Sequence, residues 1–358
     1  METAVNLQNL CFNYQASENM DQPDTKNLSA LNDISISIKK GECILLTGIS
    51  GCGKTSVLRT INGLIPNYYE GKLLGSIEVL GESIKEKPIY DISKKVSTVF
   101  QNPKSQFFNL DTTSEILFFL ENMGTPFEKM HQRLNFISEF LNIKHLLDRN
   151  IFNLSGGEKQ MIAIASALAA DTDIIVFDEP TSNLDLYYIE KIAEVISLLK
   201  KSGKTLIISE HRLYFLNGLI DRAFLIKEGK LEKEFSQQEF LALSEQNRKE
   251  FLLRPITMNK NVFNRLEDSL EKMLKVAKNK ENVKKQFYRV ANSPNGLYPL
   301  IDYVNFKGEG TSNTETYNGE GWGLLQVLEN MKGTGSGKAA LVEFSNSAKF
   351  VLERRVKN

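Results

Sequence analysis

The sequence predicts an α/β fold for residues 1–254, then a basic amphipathic helix or linker over 255–290 and a separate helical or α+β segment over 291–358. Three observations predict it. Short apolar runs of strand length alternate with helical patterns, the mark of helices layered on a sheet. Two of those runs, Cys43–Thr47 and Ile174–Phe177, lead directly into glycines and into paired acids. The texture of the chain changes after Arg254-Pro255, where Lys-rich and then Gly-, Asn- and Thr-rich stretches replace the alternation.

Taken in order, residues 1–15 alternate through Val5, Leu7 and Leu10 and read as a strand. Ser17–Asn27 is polar and reads as a loop. Ile34–Ile38 alternates with period two, as a half-buried strand does. Cys43–Thr47 is a short apolar strand, and Ser56–Ile61 opens a helix. Residues 130–250 read as mostly helical, broken by two strands, Ile174–Phe177 and Thr205–Ser209. Beyond the boundary near 250–260, Phe263, Leu266, Leu270, Met273 and Ala277 fall at helical spacing. Their stretch, 256–289, carries nine Lys/Arg against four Asp/Glu, a basic face suited to solvent or packing rather than to lipid or nucleic acid. No motif of the first 255 residues recurs after them.

Composition narrows the function. Lys plus Arg and Asp plus Glu are 44 each among 358 residues, so the net charge is zero. That disfavours a uniformly basic nucleic-acid binder and an acidic disordered chain. Hydrophobic residues at 41% and charged residues at 25% suit a globular core. Cys11, Cys43 and Cys52 are too few and odd in number for a disulfide framework, and reduced thiols are expected. The N-terminus lacks the basic-then-apolar pattern of a signal peptide. The most apolar run, Met161–Ala170, falls well short of the roughly 18 residues a spanning helix needs. If the protein works at a membrane, another chain does the spanning.

Residues Gly48-Ile49-Ser50-Gly51-Cys52-Gly53-Lys54-Thr55 follow an apolar strand and open a helix at Ser56. This is the GxxxxGK[ST] pattern in the context its physics requires. Glycines let backbone N–H groups curl around phosphate oxygens, and the helix N-terminus adds partial positive charge. Lys54 supplies a full charge at the β/γ phosphates, and the Thr55 hydroxyl is offered to Mg²⁺. Asp178 and Glu179 end the second strand: Asp178 is the candidate Mg²⁺ partner and Glu179 the group that polarises water, with a simple helix cap as the bland reading. Ser155, Gly156 and Gly157, 23 residues before Asp178, form a second glycine-and-hydroxyl helix start.

Together these residues resemble the ATP-binding subunit of ATP-binding-cassette (ABC) transporters over about residues 3–254. The resemblance implies the P-loop NTPase fold of that family with its helical subdomain. It implies Gln101 as the Q-loop glutamine, touching metal and reaction centre, residues 182–185 as the D-loop, His211 as the switch histidine and Tyr14 as the adenine-stacking aromatic. It also implies ATP and Mg²⁺ as ligands and a head-to-tail dimer, homo- or heteromeric, with each ATP between one loop and the partner's signature. Asn62-Gly-Leu-Ile-Pro66, Phe100-Gln-Asn-Pro103 with Gln106, Glu210-His-Arg212 and the stretch Leu243-Ser to Leu253-Arg254 look like energy-coupling-factor ATPases. Those power uptake of vitamins or transition-metal ions with a transmembrane coupling subunit and a substrate-binding membrane component. The implied location is the cytoplasmic face of the membrane, with no nucleic-acid partner. Some such chains carry a second ATPase half, which would begin near 256 and does not. Asn183 stands where many cassettes have Ala.

Other readings stand beside these. Tyr14 could be a core strand residue, His211 a helix cap, and Cys52 either a redox-sensitive thiol or filler of a variable position. Gly333–Lys338 looks like a second phosphate loop, but Lys332 and Ala339 stand where Gly and Ser/Thr are needed. Glu309, Glu315 and Glu320 near Trp322 have the residue types of a glycoside-cleaving site and equally those of a solvated loop. A cassette ATPase acting in translation or DNA maintenance, or a chimera with an unrelated C-terminal fragment, are the rival functions.

Overall fold

The structure, a computed structural model, describes residues 2–15, 29–182, 184–254, 341–344 and 348–351. Of these, the residues that fall within 1–182, 192–211 and 216–253 form one compact unit, and those within 183–191 and 212–215 belong to a second. The expected linker helix, the Gly333–Lys338 loop, the glutamates around Trp322, the loop 17–27 and Asn183 lie outside the described residues.

Two sheets build the first unit. An antiparallel sheet runs in the order β2-β1-β4-β5, from β1 (Thr3–Tyr14), β2 (Leu31–Lys39), β4 (Gly71–Val79) and β5 (Glu82–Ser83). β2 keeps the alternation of its sequence, with Leu31, Ile34, Ile36 and Ile38 inside and Ser35 and Ser37 exposed. The second sheet has the order β10-β9-β3-β8-β7-β6. Its strands are β3 (Cys43–Thr47), β6 (Val96–Val99), β7 (Ile174–Asp178), β8 (Thr205–Ser209), β9 (Arg222–Lys227) and β10 (Lys230–Ser236). All pairs in it are parallel except β9–β10. β3, β7 and β8 are buried at every residue, which is why they read as continuous apolar runs.

The expectation of only two strands between 130 and 250 is corrected by β9 and β10. Their turn holds Glu228 at φ 49° and Gly229 at φ 75°, the two positive angles a tight hairpin needs. β10 exposes most of its side chains, so its charged sequence mimics a polar helix, while the ladder to β9 makes it a strand. A further small ladder pairs Leu341–Phe344 with Ala348–Val351.

Helices follow the strands: α1 (Lys54–Ile61), α2 (Leu64–Asn67), α3 (Ile89–Ile92), α4 (Thr112–Asn122), α5 (Phe127–Phe140), α6 (Gly156–Ala169), α7 (Leu186–Lys201), α8 (Gln237–Leu241) and α9 (Glu245–Glu250). α4 is capped by Asp111, whose side chain accepts from the Ser114 N–H. α6 buries ten of its fourteen residues, so it is an interior helix rather than an amphipathic one. No described helix is long and apolar enough to cross a membrane. The core joins the inner faces of β1, β2 and β4 to α1 and the central strands. Phe12 and Phe224 are almost wholly buried there, each stabilising by about 1.5–3 kcal/mol relative to exposure.

Candidate functional site

β3 delivers the chain into the glycine loop, which closes on α1. Gly48 has φ 141° and Gly53 φ 111°. A Cβ on Gly48 would stand 2.2 Å from the Ile226 carbonyl oxygen, and one on Gly53 2.7 Å from that of Ala30. The need for glycine at these two positions therefore comes from neighbouring backbone as much as from any ligand. The hairpin that the sequence reading missed is what presses there: Gly229 donates its N–H to the Cys52 carbonyl at 2.9 Å. Ile49, Ser50 and Gly51 face solvent, whereas Cys52, Lys54 and Ser56 are buried. Cys52 is only 3% exposed, which favours its role as packing over a redox-sensitive thiol. Lys54 Nζ donates to the carbonyls of Gly48 at 3.0 Å and Ile49 at 2.9 Å, so its charge rests on the loop itself.

The ends of β6, β7 and β8 converge on this loop. Thr55 Oγ1 donates to Asp178 Oδ1 at 3.2 Å. Glu179 sits one residue on, at φ 44°, a strained angle for a residue with a Cβ. Its Oε1 is 3.0 Å from His211 Nε2, and its Oε2 accepts from Gln101 Nε2 at 2.8 Å. Lys54 Nζ lies 3.5 Å from the same His211 nitrogen. With the proton on Nε2, His211 donates to Glu179, and the Lys54 hydrogens go to the two loop carbonyls. Burial pushes the Asp178 carboxyl above its ordinary range, reinforced by the charge of Glu179 and only partly offset by Thr55. Burial acts upward on Glu179 too. There the hydrogen bond and charge of His211, then Lys54 and Ser182, outweigh it and hold that carboxyl low. Glu179 is thus kept ionised beside a more reluctant Asp178.

Neither acid caps a helix: α7 starts at Leu186, and the Tyr188 N–H is taken by Asp185 at 3.0 Å. His211 likewise engages Glu179 rather than a helix end. Tyr14 ends β1 half-buried, edge-on to Phe12 with ring centres 4.8 Å apart. Its hydroxyl is 3.0 Å from Ser56 Oγ and accepts from Arg59 at 3.0 Å. Tyr14 is therefore a half-buried strand residue that packs against the core and touches α1. Ser155, Gly156 and Gly157 stand apart: among the described residues no hydrogen bond or ion pair joins them to the loop. Ser155 caps α6, its hydroxyl accepting from the Glu158 N–H while the Glu158 carboxylate accepts from the Ser155 N–H.

A buried carboxylate and a hydroxyl, both hard oxygen donors, suit Mg²⁺. The raised Asp178 fits that cation, since a positive charge beside it would relieve both burial and the repulsion of Glu179.

A family model described as ABC transporter matches residues 31–182. A protein of Pyrococcus abyssi, provisionally named an ABC transporter ATP-binding protein, is 36% identical over 244 residues, or 66% of this chain and 84% of that protein. The chain belongs to the ABC transporter ATP-binding family. A similarly named protein of Treponema denticola is 45% identical over 250 residues, 70% of this chain and 49% of its own length. The cassette spans about half the length of the first such relatives it matches. Among solved structures, cbiO1 of Clostridium perfringens, described as part of the ABC transporter complex cbiONQ, superposes with a TM-score of 0.58 at 24% identity. That match covers 70% of this chain and 94% of cbiO1. A dimeric ATP-binding cassette bound to ADP and Pi gives a TM-score of 0.56 at 24% identity, covering 65% and 98%. The mixed α/β cassette fold expected from the sequence is thereby established.

Three residues of the cassette escaped the sequence reading of the site. Arg59 holds the Tyr14 hydroxyl and lies 4.0 Å over the Tyr69 ring. Thr181 and Glu210 bond to each other behind Glu179 and His211. The usable signal was Glu210 itself, a carboxylate at the end of a buried apolar strand, as Asp178 is.

Proposed function

We propose that this cassette binds and hydrolyses ATP as the energy-supplying subunit of an importer of the energy-coupling-factor type. In that reading Lys54 and the loop N–H groups bind the phosphates, and Ser56 and Tyr14 meet the rest of the nucleotide. Mg²⁺, when bound, supplies charge neutralisation to the phosphates, and Thr55, Asp178 and the Gln101 side-chain oxygen would hold it. Glu179, kept ionised by His211, accepts a hydrogen bond from the attacking water, and Gln101 orients the same carboxylate. Catalysis of this kind is positioning plus charge stabilisation, which is what a chain of linked side chains offers. Ser155, Gly156 and Gly157 serve the ATP of a partner cassette in a dimer, homo- or heteromeric. A transmembrane coupling subunit and a substrate-binding membrane component complete the assembly at the cytoplasmic face, and the transported solute is a vitamin or a metal ion.

One observation carries the reading: four separate stretches of chain meet, Lys54, His211, Glu179 and Gln101 in one line of contacts and the neighbouring Thr55 and Asp178 in a second. The importer class is supported by the sequence features around Asn62, Gln106 and Glu210 and by the likeness to cbiO1. Lys54→Ala tests the cradle: binding of a fluorescent ATP analogue should weaken by about 100-fold, the scale of a lost charge-assisted contact. Unchanged affinity would contradict the reading. Recovery of the cassette with a multi-spanning membrane protein would support the assembly, and salt-sensitive RNA retention in its place would oppose it.

A further inference from the structure

Glu210 is 3% exposed, and a buried carboxylate is costly unless its oxygens are well bonded. Here they are. Oε1 accepts the His211 backbone N–H at 2.7 Å. Oε2 accepts the Thr181 hydroxyl at 2.5 Å and lies 3.4 Å from the Thr181 backbone nitrogen. Glu210 is itself fixed by its own N–H, which donates to the Leu46 carbonyl of β3 at 3.3 Å.

The two groups it grips belong to the two turns that carry the reacting side chains. His211 lies two residues beyond the end of β8, with Glu210 between. Thr181 lies inside the turn from Glu179 to Ser182, which is closed by the Ser182 N–H on the Glu179 carbonyl at 3.1 Å. Glu179 opens that turn with a positive φ, a conformation that persists only where surroundings impose it. Its N–H is tied to Ser209 at 2.9 Å, and Ser182 Oγ reaches its carboxylate at 3.4 Å. A carboxylate that held only the core together would be replaced at less desolvation cost by an apolar group.

We propose that Glu210 is a positioning residue that clamps the Glu179 turn to His211 and so keeps the Glu179–His211 pair in register. It acts through Thr181 and the His211 backbone. The inference rests on the proposed role of Glu179, and its test separates the two.

ATP turnover and nucleotide affinity are measured on the full chain for Glu210→Gln, Thr181→Val, their double variant and Thr181→Ser. Gln keeps the size but replaces one acceptor oxygen with a donor group. Glu210→Gln and Thr181→Val should each lower kcat on the order of tenfold, with KM for ATP within about twofold of the parent. The double variant should be no slower than the slower single one, because both remove one clamp. Thr181→Ser, which keeps the hydroxyl, should turn over at the parental rate. Parental kcat in Glu210→Gln would overturn the clamp. So would multiplicative losses in the double variant, or a rise in KM matching the fall in kcat and tracking a lowered Tm, the pattern of a merely structural role. Glu179→Gln is the control: if it hydrolyses ATP normally the underlying reading fails, and if it is inactive while Glu210→Gln is not, the clamp alone fails.

Discussion

Two helix starts in this molecule look alike in sequence and differ in their contacts. α1 follows a glycine-rich turn and α6 opens on two glycines, each with a nearby hydroxyl. At α6 the start is self-sufficient: Ser155 and Glu158 satisfy each other in a reciprocal capping box. At α1 no side chain caps the helix, and the N-cap is Gly53 in a left-handed conformation. In place of a cap, that end gathers a lysine that reaches a histidine, a glutamate bonded to that histidine, and an aspartate held by Thr55. A helix start whose hydroxyl and first-turn carboxylate are already bonded to its own backbone shows no need of a ligand from within its chain. One that has no side-chain cap and concentrates charge is unfinished without one. The phosphate loop can therefore be argued from this chain alone, whereas the role of Ser155 needs a second chain.

The largest expected effect breaks the first region. Glu179→Gln should still bind ATP yet lose roughly 10²–10⁴-fold in turnover, the scale of a missing general base. A phosphate-release assay paired with nucleotide binding measures both, and near-normal turnover removes Glu179 from that role. The next effect sharpens the second region. Ser155→Ala should cost about 1 kcal/mol in a urea titration, the usual loss of a helix cap. Ser155→Asp restores an equally good cap and so should recover that stability. If Ser155 meets phosphate in a dimer, the same aspartate sets like charges together, and turnover should fall on the order of 100-fold. An aspartate variant both stable and fully active would leave Ser155 as a cap and nothing more.

How much of this was legible depended on sequence distance. Gly48 to Thr55 and Asp178-Glu179 sit at the ends of strands buried along their whole length, so motif and apolar run marked each other. His211 was found the same way, one residue beyond Glu210 at the end of β8. β10 was not found, because an edge strand with exposed Lys and Glu carries no apolar period; its strand character comes from pairing with β9. That miss mattered, since the Ile226 carbonyl of β9 leaves no room for a side chain at Gly48 of the phosphate loop. The Glu210 clamp was illegible for another reason. Its partner Thr181 lies 29 residues away, and only the parallel pairing of β7 with β8 brings the two together.

The smallest effect isolates the charge in the α6 cap from its hydrogen bonds. Glu158→Gln keeps a side chain that can accept from the Ser155 N–H, so the capping box survives and only the charge is lost. At neutral pH that charge, beside the positive end of α6, is worth roughly 0.5 kcal/mol. The Ser155 N–H, working against modest burial and helped by the Ser155 hydroxyl, holds the Glu158 carboxyl below its ordinary value of 4.5. A depressed folded-state value means stability that is fully present above 4.5 and is lost as pH falls through the lower value. The difference in Tm between parent and variant should therefore be constant from pH 7 to about pH 5 and shrink toward zero below about pH 4. All other carboxylates titrate in both proteins and cancel in the difference. A gap that persists undiminished at pH 3 would assign the loss to altered hydrogen bonding, and the α6 start would then owe its stability to the capping box alone.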